Sequence, residues 1–302
     1  MALVSAVTVD RLWSADALNY KENPTGGTMS EPILLNPGPS ERGWHRIQSF
    51  LQCPQKFAWR HKAKIEDRVK GQESPALVKG SLIHIGLAHY YAQMQAEQNG
   101  QDPGMYYGPK AAIEKLASIE GDGWRKHTEI CKQVIDAYRM EYAHERIRPL
   151  YIETVFEAKF KGHRLTGRLD LVYEDTRGKI WVMDHKTTGH LHARQRTYYS
   201  VSGQLLAYKW MGQAAFGDRF GGLLLNQIQH GGKAFKFVRP HLDPAPHLFA
   251  ALPQTIDDAE AGIAQLEQSD RQYFEWPKAT NELTCFSRYG ACGYLEKCRW
   301  GQ

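Results

Sequence analysis

No apolar run in this 302-residue chain approaches the ~20 residues needed to cross a bilayer, so it does not read as an integral membrane protein. The opening MALVSAVTVDRLW carries no basic stretch ahead of its short apolar segment, which argues against a secretory leader and makes an intracellular location the expectation. Internal repeats are absent, which excludes solenoids and propellers. An excess of one charge is small too: 38 Lys and Arg against 33 Asp and Glu leave +5, which tolerates an anionic partner without identifying one. Cysteine is sparse and odd in number, at positions 53, 131, 285, 292 and 298, which argues against a disulfide framework and points at least some of these thiols towards a metal.

What is present reads as one folded unit behind a loose arm. Residues 21–43, KENPTGGTMSEPILLNPGPSERG, are rich in turn formers and lack periodicity, so residues 1–43 are assigned as an arm and residues 44–302 as the domain. Helices are expected from Trp44 to about Lys64, with a break or fresh start at Pro54, from Lys79 to Gln98, and from Trp124 to about Arg148. In the third, Ile130, Val134, Tyr138 and Tyr142 recur every fourth residue, with Cys131 beside them as a buried free thiol. Strands are expected at 152–161, 164–174 and 179–186, then a helix at 194–215, strands at 221–229 and 234–239, and a helix at 246–268. That order implies an α/β domain with a mixed central sheet flanked by helices.

The chemistry centres on WVMDHKTTG, residues 181–189. Side chains alternate along a strand, so Asp184 and Lys186 share one face while Trp181, Met183 and His185 share the other. A turn-prone EDTRG makes the preceding strand an antiparallel neighbour and brings Asp170 to the same place. Two carboxylates converging on one point suit Mg²⁺, which binds through one or two carboxylates plus substrate phosphate. A lysine beside them can orient a water or offset developing charge, which is the equipment for phosphodiester hydrolysis. The bland alternative, a surface ion pair, is common and weakly stabilising, and the rest of the chain decides between them.

Asp170 followed by Asp184-His185-Lys186 resembles the PD-(D/E)XK nuclease signature, with Leu169 in place of the eponymous proline. GSLIH at 80–84 and QLLAY at 204–208 resemble the GxxxH and QxxxY motifs of the RecB-like exonuclease branch, in the expected order. SFLQCPQKF around Cys53, with CFSRYGACGYLEKC near the end, resembles the four-cysteine iron–sulfur members: CRISPR-associated RecB-like nucleases, AddB-type helicase-nucleases and phage-encoded relatives. The gap between the second and third cysteines is six residues where the pattern has two.

This resemblance implies a restriction-endonuclease-like fold with iron–sulfur-stapled N- and C-terminal segments. It implies an Mg²⁺- or Mn²⁺-dependent exonuclease acting on single-stranded or end-containing DNA. His84, Asp170, Asp184 and the carbonyl of His185 would hold metal, Lys186 would position the attacking water, and Gln204 and Tyr208 would steady the strand. Cys53, Cys285, Cys292 and Cys298 would bind a 4Fe–4S cluster, although thiolates in fours also suit structural Zn²⁺. His84 and His89 lie about 140° apart around a helix, so both cannot face one ion, and the motif selects His84. Glu157, on the same strand face as Glu153, matches a further acid upstream of Asp170. Arg194, Arg196, Tyr198 and Tyr199 would form a stacking and phosphate-tracking groove. Partner proteins from recombination, repair or CRISPR-type pathways stay open. The rival reading is a catalytically silent DNA-binding or adaptor module that keeps the fold.

Overall fold

The structure, a computed structural model, describes residues 31–35, 38, 40–65, 73–160, 162–287 and 290–300. Most of the arm expected over residues 1–43 lies outside the described residues. Cys53 is extended and Pro54, lacking an N–H, opens a new helix, so the first helical run divides into α1 (Trp44–Gln52) and α2 (Pro54–Phe57). A π-helical turn over Ala58–Lys62 follows. Helix α3 (Pro75–Gln98) starts at Ser74, whose hydroxyl accepts the Leu77 N–H. Its neighbours are α4 (Pro109–Glu120), α5 (Asp122–Arg125) and α6 (Thr128–Glu141).

Three long strands come next, β1 (Ile147–Phe160), β2 (His163–Asp175) and β3 (Ile180–Thr188). Then follow α7 (Gln195–Ser200), α8 (Gly203–Phe216), β4 (Phe220–Gln229), β5 (Lys236–Val238), β6 (His241–Leu242) and α9 (Pro246–Glu267). The chain closes with α10 (Glu282–Cys285), the small hairpin β7 (Phe286–Ser287) and β8 (Gly290–Ala291), and α11 (Leu295–Trp300).

The main sheet runs β1-β2-β3-β4-β5, with β6 beside β4. All its pairings are antiparallel except β3 with β4, where the chain returns through α7 and α8. Each face carries its own core. On one side Leu82, Ile83, Ile113, Val134 and Ile135 of α3, α4 and α6 pack over Leu171, Met183 and Leu224. On the other, Ile47, Leu205, Leu206 and Ile256 of α1, α8 and α9 pack over Val172, Val182 and Leu225. Among the described residues no helix is long and apolar enough to cross a membrane.

Three expectations need correction. The helix expected over 124–148 is α5 plus α6 and stops at Glu141, because residues from Ile147 onward are drawn into β1. The helix expected over 194–215 is two helices, parted where Val201 leaves the helix and Ser202 turns extended, and the freed Ser200 carbonyl accepts the Ala245 N–H instead. The strand expected over 234–239 is only Lys236–Val238, and Pro240 separates it from β6.

Candidate active site

The two strands carrying the acids part company at the site. The β2–β3 ladder runs from Glu174↔Ile180 to Leu171↔Met183 and no further. Continuing that register would set Asp170 opposite Asp184. Instead the Asp170 carboxylate accepts the His185 N–H at 2.7 Å, taking the place of the missing strand partner. On its other side Asp170 faces β1, where Ile152↔Leu171 and Thr154↔Leu169 bracket Glu153. Glu153 adopts a left-handed backbone, φ 47°, which a non-glycine residue holds only when its surroundings impose it.

Helix α3 delivers His84 from above. Gly80 lets the helix approach β3 closely, because a Cβ there would stand 3.1 Å from Thr187 Oγ1. One turn later His84 Nδ1 lies 3.7 Å from Asp170 Oδ2, too long for a hydrogen bond but within shared reach of one ion. One ligand atom each from His84, Glu153 and Asp170 lie within 4.8 Å of one another, the group of this kind found among the described residues. The glutamate in this group is Glu153. Glu157, the acid matched from sequence, is paired with Arg164 instead.

From the other face of the sheet, Asp184 and Lys186 point towards α8. Lys186 Nζ lies 2.7 Å from Asp184 Oδ2 and donates to Gln204 Oε1 at 3.3 Å. Gln204 Nε2 in turn donates to Tyr208 OH (2.9 Å), and Tyr208 donates to the Arg168 carbonyl (2.6 Å). Gln204 and Tyr208 therefore share the helix face expected of them, one turn apart. Tyr199 places its ring 5.9 Å from Lys186 Nζ, while Arg194, at the N-cap of α7, and Arg196 and Tyr198 along it are exposed.

The electrostatics describe a site short of positive charge. Burial, together with the Asp170 charge, pushes Glu153 well above the usual carboxylate range. Burial also raises Asp170, against the pull of Lys186 and the His185 N–H, and raises Asp184 to about 6 despite Lys186. Asp184 is 1% exposed, and its Oδ1 has no hydrogen-bond partner. Carboxylates crowded this way favour a proton or a cation, and an orphaned oxygen in a set of oxygen and imidazole donors fits Mg²⁺ or Mn²⁺. His84 is ready to ligate. Burial and then Lys186 bring its pKa down to about 4, against the opposing pulls of Asp184 and the His185 main chain, so it is neutral. Lys186 is driven the other way, since Asp184 and Asp170 outweigh its burial and keep it protonated.

His89, on the same helix, serves a different purpose. Its Nδ1–H donates to the Tyr107 carbonyl (2.9 Å) and its Nε2 accepts the Leu35 N–H (3.0 Å). Beside it Ile33 bridges to Tyr106, so this imidazole ties the described piece of the N-terminal arm to α3.

The four remaining thiols are free and lie in segments that touch one another. Cys53 Sγ accepts the Ala279 N–H at 3.4 Å, Cys285 Sγ lies 4.0 Å from the Ala279 carbonyl, and the Cys292 N–H donates to the Cys285 carbonyl at 2.7 Å. Partial burial raises the Cys298 thiol, and Cys53, Cys292 and Cys285 add to the effect. They do not form a close ligand group: no three of these sulfurs lie within 4.8 Å of one another. Tetrahedral zinc would need sulfurs about 3.8 Å apart, given Zn–S near 2.3 Å, so the arrangement does not match one such ion. Cys131 stands apart, buried, with its thiol pushed up to about 12.

The splayed strand ends of the mixed sheet thus gather two buried acids, Glu153 and Asp184, the partly buried Asp170, a neutral imidazole and a charged lysine at one place. The chain belongs to the PD-(D/E)XK nuclease superfamily, whose family model matches residues 44–299. Among solved structures it is similar to a candidate exonuclease from Eubacterium rectale, at 12% identity and TM-score 0.42, over 74% of this chain and 79% of that one. It is also similar to the protein SSO0001, at 14% identity and TM-score 0.30, over 62% of this chain and 76% of that one. No curated protein sequence matches it.

Proposed function

We propose that this protein is a divalent-metal-dependent deoxyribonuclease of the RecB-like branch, acting as an exonuclease on single-stranded or end-containing DNA. The observation that carries this reading is the orphaned Asp184 Oδ1, buried beside Lys186 and next to the group formed by His84, Glu153 and Asp170. A purely structural site would leave that oxygen unpaired at a penalty of about 1–3 kcal/mol or more.

His84, Asp170, Asp184 and the His185 carbonyl would hold Mg²⁺ or Mn²⁺, with Glu153 added to the set expected from sequence. The bound ion supplies polarisation of the phosphoryl oxygen and a lowered pKa for an attached water. The protein's own groups do the rest. Lys186 is protonated, so it acts as a donor and not as a base. Of its three N–H groups, one faces Asp184 and one Gln204, leaving the third to orient the attacking water or to meet charge developing on the phosphate. Gln204, anchored by Tyr208, keeps the ammonium aimed. Tyr199 and the exposed Arg194, Arg196 and Tyr198 offer the strand a stacking surface and phosphate contacts.

The cysteines extend the proposal to an iron–sulfur cluster held by Cys53, Cys285, Cys292 and Cys298, joining the two ends of the domain. Its support is the resemblance of the Cys53 and Cys285–Cys298 segments to the four-cysteine members, with the sulfurs of Cys53 and Cys285 both set against Ala279. Incubating the purified chain with end-labelled linear and with circular single-stranded DNA, in Mg²⁺ or Mn²⁺ and in chelator, tests the activity. Metal-dependent shortening of linear DNA with the circle untouched is expected. Cleavage of the circle would make the protein an endonuclease, and no cleavage in either metal would favour the silent DNA-binding module.

A further inference from the structure

On the face of β3 opposite Asp184 lies a buried polar network that no motif in the sequence marks. His185 stands between it and the candidate centre. Beyond Met183 the β3 main chain has lost β2, so β4 alone flanks it. The His185 N–H goes to Asp170, and its main chain also meets the His84 ring. Both of those partners belong to the proposed metal site, so neither is an independent anchor for this peptide.

The β4 ladder holds this strand along one edge, and the His185 side chain adds a second anchor. It is 2% exposed, stacks on Tyr91 with ring centroids 6.0 Å apart and planes 12° apart, and sets Nδ1 2.8 Å from Asn226 Nδ2. Asn226 is the residue directly across in β4. Its amide orientation is dictated by Arg239, whose Nε donates to Asn226 Oδ1 at 3.2 Å, because a guanidinium can only donate. The Asn226 NH₂ must then face His185 Nδ1 and Tyr138 OH, the latter also at 2.8 Å. His185 Nδ1 is therefore an acceptor, and its proton sits on Nε2. Arg239 is itself tightly held: it pairs with Glu145, donates to Tyr91 OH (2.9 Å) and Tyr138 OH, and lies 3.4 Å from the Tyr142 ring centroid.

Resting on the nuclease reading, we propose that Arg239 is a positioning residue for the centre: through Asn226 it fixes the His185 ring, and with it the main chain that meets His84 and Asp170. The arrangement is a relay of orientation. Glu145 and the tyrosines hold Arg239, Arg239 sets the Asn226 amide, and Asn226 sets one tautomer and one ring position for His185. Groups standing behind metal ligands in this way commonly change metal affinity about 10–100-fold when removed.

The test begins on the full-length, metal-free protein, with ¹⁵N spectra of the histidine rings. In the wild type, His185 Nδ1 should be unprotonated. In Asn226→Asp, which still accepts from Arg239 but cannot donate to the ring, the proton should move to Nδ1. Mn²⁺ binding to the same proteins, read by electron paramagnetic resonance, should weaken at least about tenfold in Asn226→Asp. The same loss is expected in a Glu145→Leu/Arg239→Met pair, which removes both charges together and leaves none orphaned. On single-stranded DNA both variants should lose kcat by a similar factor, with KM within about twofold. A protonated Nδ1 in the wild type, or wild-type Mn²⁺ affinity in folded Asn226→Asp, overturns the assignment even if the paired variant fails to fold. Loss of Mn²⁺ binding in the wild type itself would instead overturn the nuclease reading, and the tautomer result would still judge Arg239.

Discussion

Two histidines five residues apart on α3 are both held near pKa 4 by burial, yet they sit in opposite kinds of surroundings. His89 is saturated by the protein, with one nitrogen on the Tyr107 carbonyl and the other on the Leu35 N–H. His84 faces Asp170, Glu153 and the Asp184–Lys186 pair, where acids outnumber cations and a carboxylate oxygen has no partner. A depressed imidazole pKa therefore says nothing of role. What separates the two histidines is how their surroundings are satisfied: the protein meets both nitrogens of His89, whereas beside His84 the buried Asp184 Oδ1 has no partner.

The comparison breaks hardest where its acidic side is dismantled. Lys186→Ala and Asp184→Ala should each lower kcat by about 10³-fold or more while DNA binding survives, since these groups act on charge that develops in the transition state. Gel-shift and cleavage assays on the same preparations check this, and loss of binding in step with cleavage would contradict it. Next comes exchange of the histidines themselves. His84→Ala should weaken Mn²⁺ binding at least tenfold, on the order expected for a lost centre residue, with little change in melting temperature. His89→Ala should do the reverse, leaving Mn²⁺ affinity intact and destabilising the fold by about 1–3 kcal/mol through its abandoned Leu35 and Tyr107 partners.

Acidity sharpens the contrast further. His89 has a folded pKa of about 4, below its unfolded value, so the stability it contributes is full above pH 6.5 and is lost as pH falls towards 4. That span is worth at most about 3 kcal/mol, and denaturation of wild type and His89→Ala across this range should show the slope disappear in the variant. Asp184, raised to about 6, carries the opposite sign: the metal-free fold favours its protonated form, so its contribution is present at low pH and is lost as pH rises through 6. The stabilisation that Mn²⁺ confers in a thermal shift assay should accordingly be full above pH 7 and fade as pH drops through 6. The smallest effect on cleavage is expected at the thiols. Cys298→Ser should abolish iron and acid-labile sulfide in anaerobically purified protein and lower its melting temperature, with cleavage reduced only through loosening of the ends. Cys131→Ser should keep the iron and the sulfide. Stoichiometric zinc in place of iron would replace the cluster.

How much of this could be read from sequence follows the reach of each signal. Strand alternation put Asp184 and Lys186 on one face, and helical spacing put Gln204 and Tyr208 on another; the Lys186–Gln204 hydrogen bond joins the two. Glu153 was within reach as well. The two-residue connection pairs Phe160 with His163, and counting back along that register lands Glu153 opposite Asp170, whereas face alone left it tied with Glu157. Helix α4 went unmarked although Ala112, Ile113, Leu116 and Ala117 in PKAAIEKLASIE recur at helical spacing and share its buried face. The break between α7 and α8 was legible, since Ser202 and Gly203 form a Ser-Gly pair with a serine at the N-cap of α8. Arg239 was illegible for a deeper reason: its partners Tyr91, Tyr138, Glu145 and Asn226 come from four separate elements or loops, and only the folded chain assembles them.

The central claim is that His84, Glu153, Asp170 and Asp184 enclose a divalent cation that His89 never meets. Crystals of the full chain soaked in Mn²⁺ and measured at a wavelength where manganese scatters anomalously test it directly. The account predicts a strong peak between His84 and the carboxylates, bonded to Asp184 Oδ1, and the loss of that peak in His84→Ala at the same Mn²⁺ concentration. A peak elsewhere with this site empty, or Asp184 Oδ1 still without a partner at saturating Mn²⁺, would contradict it.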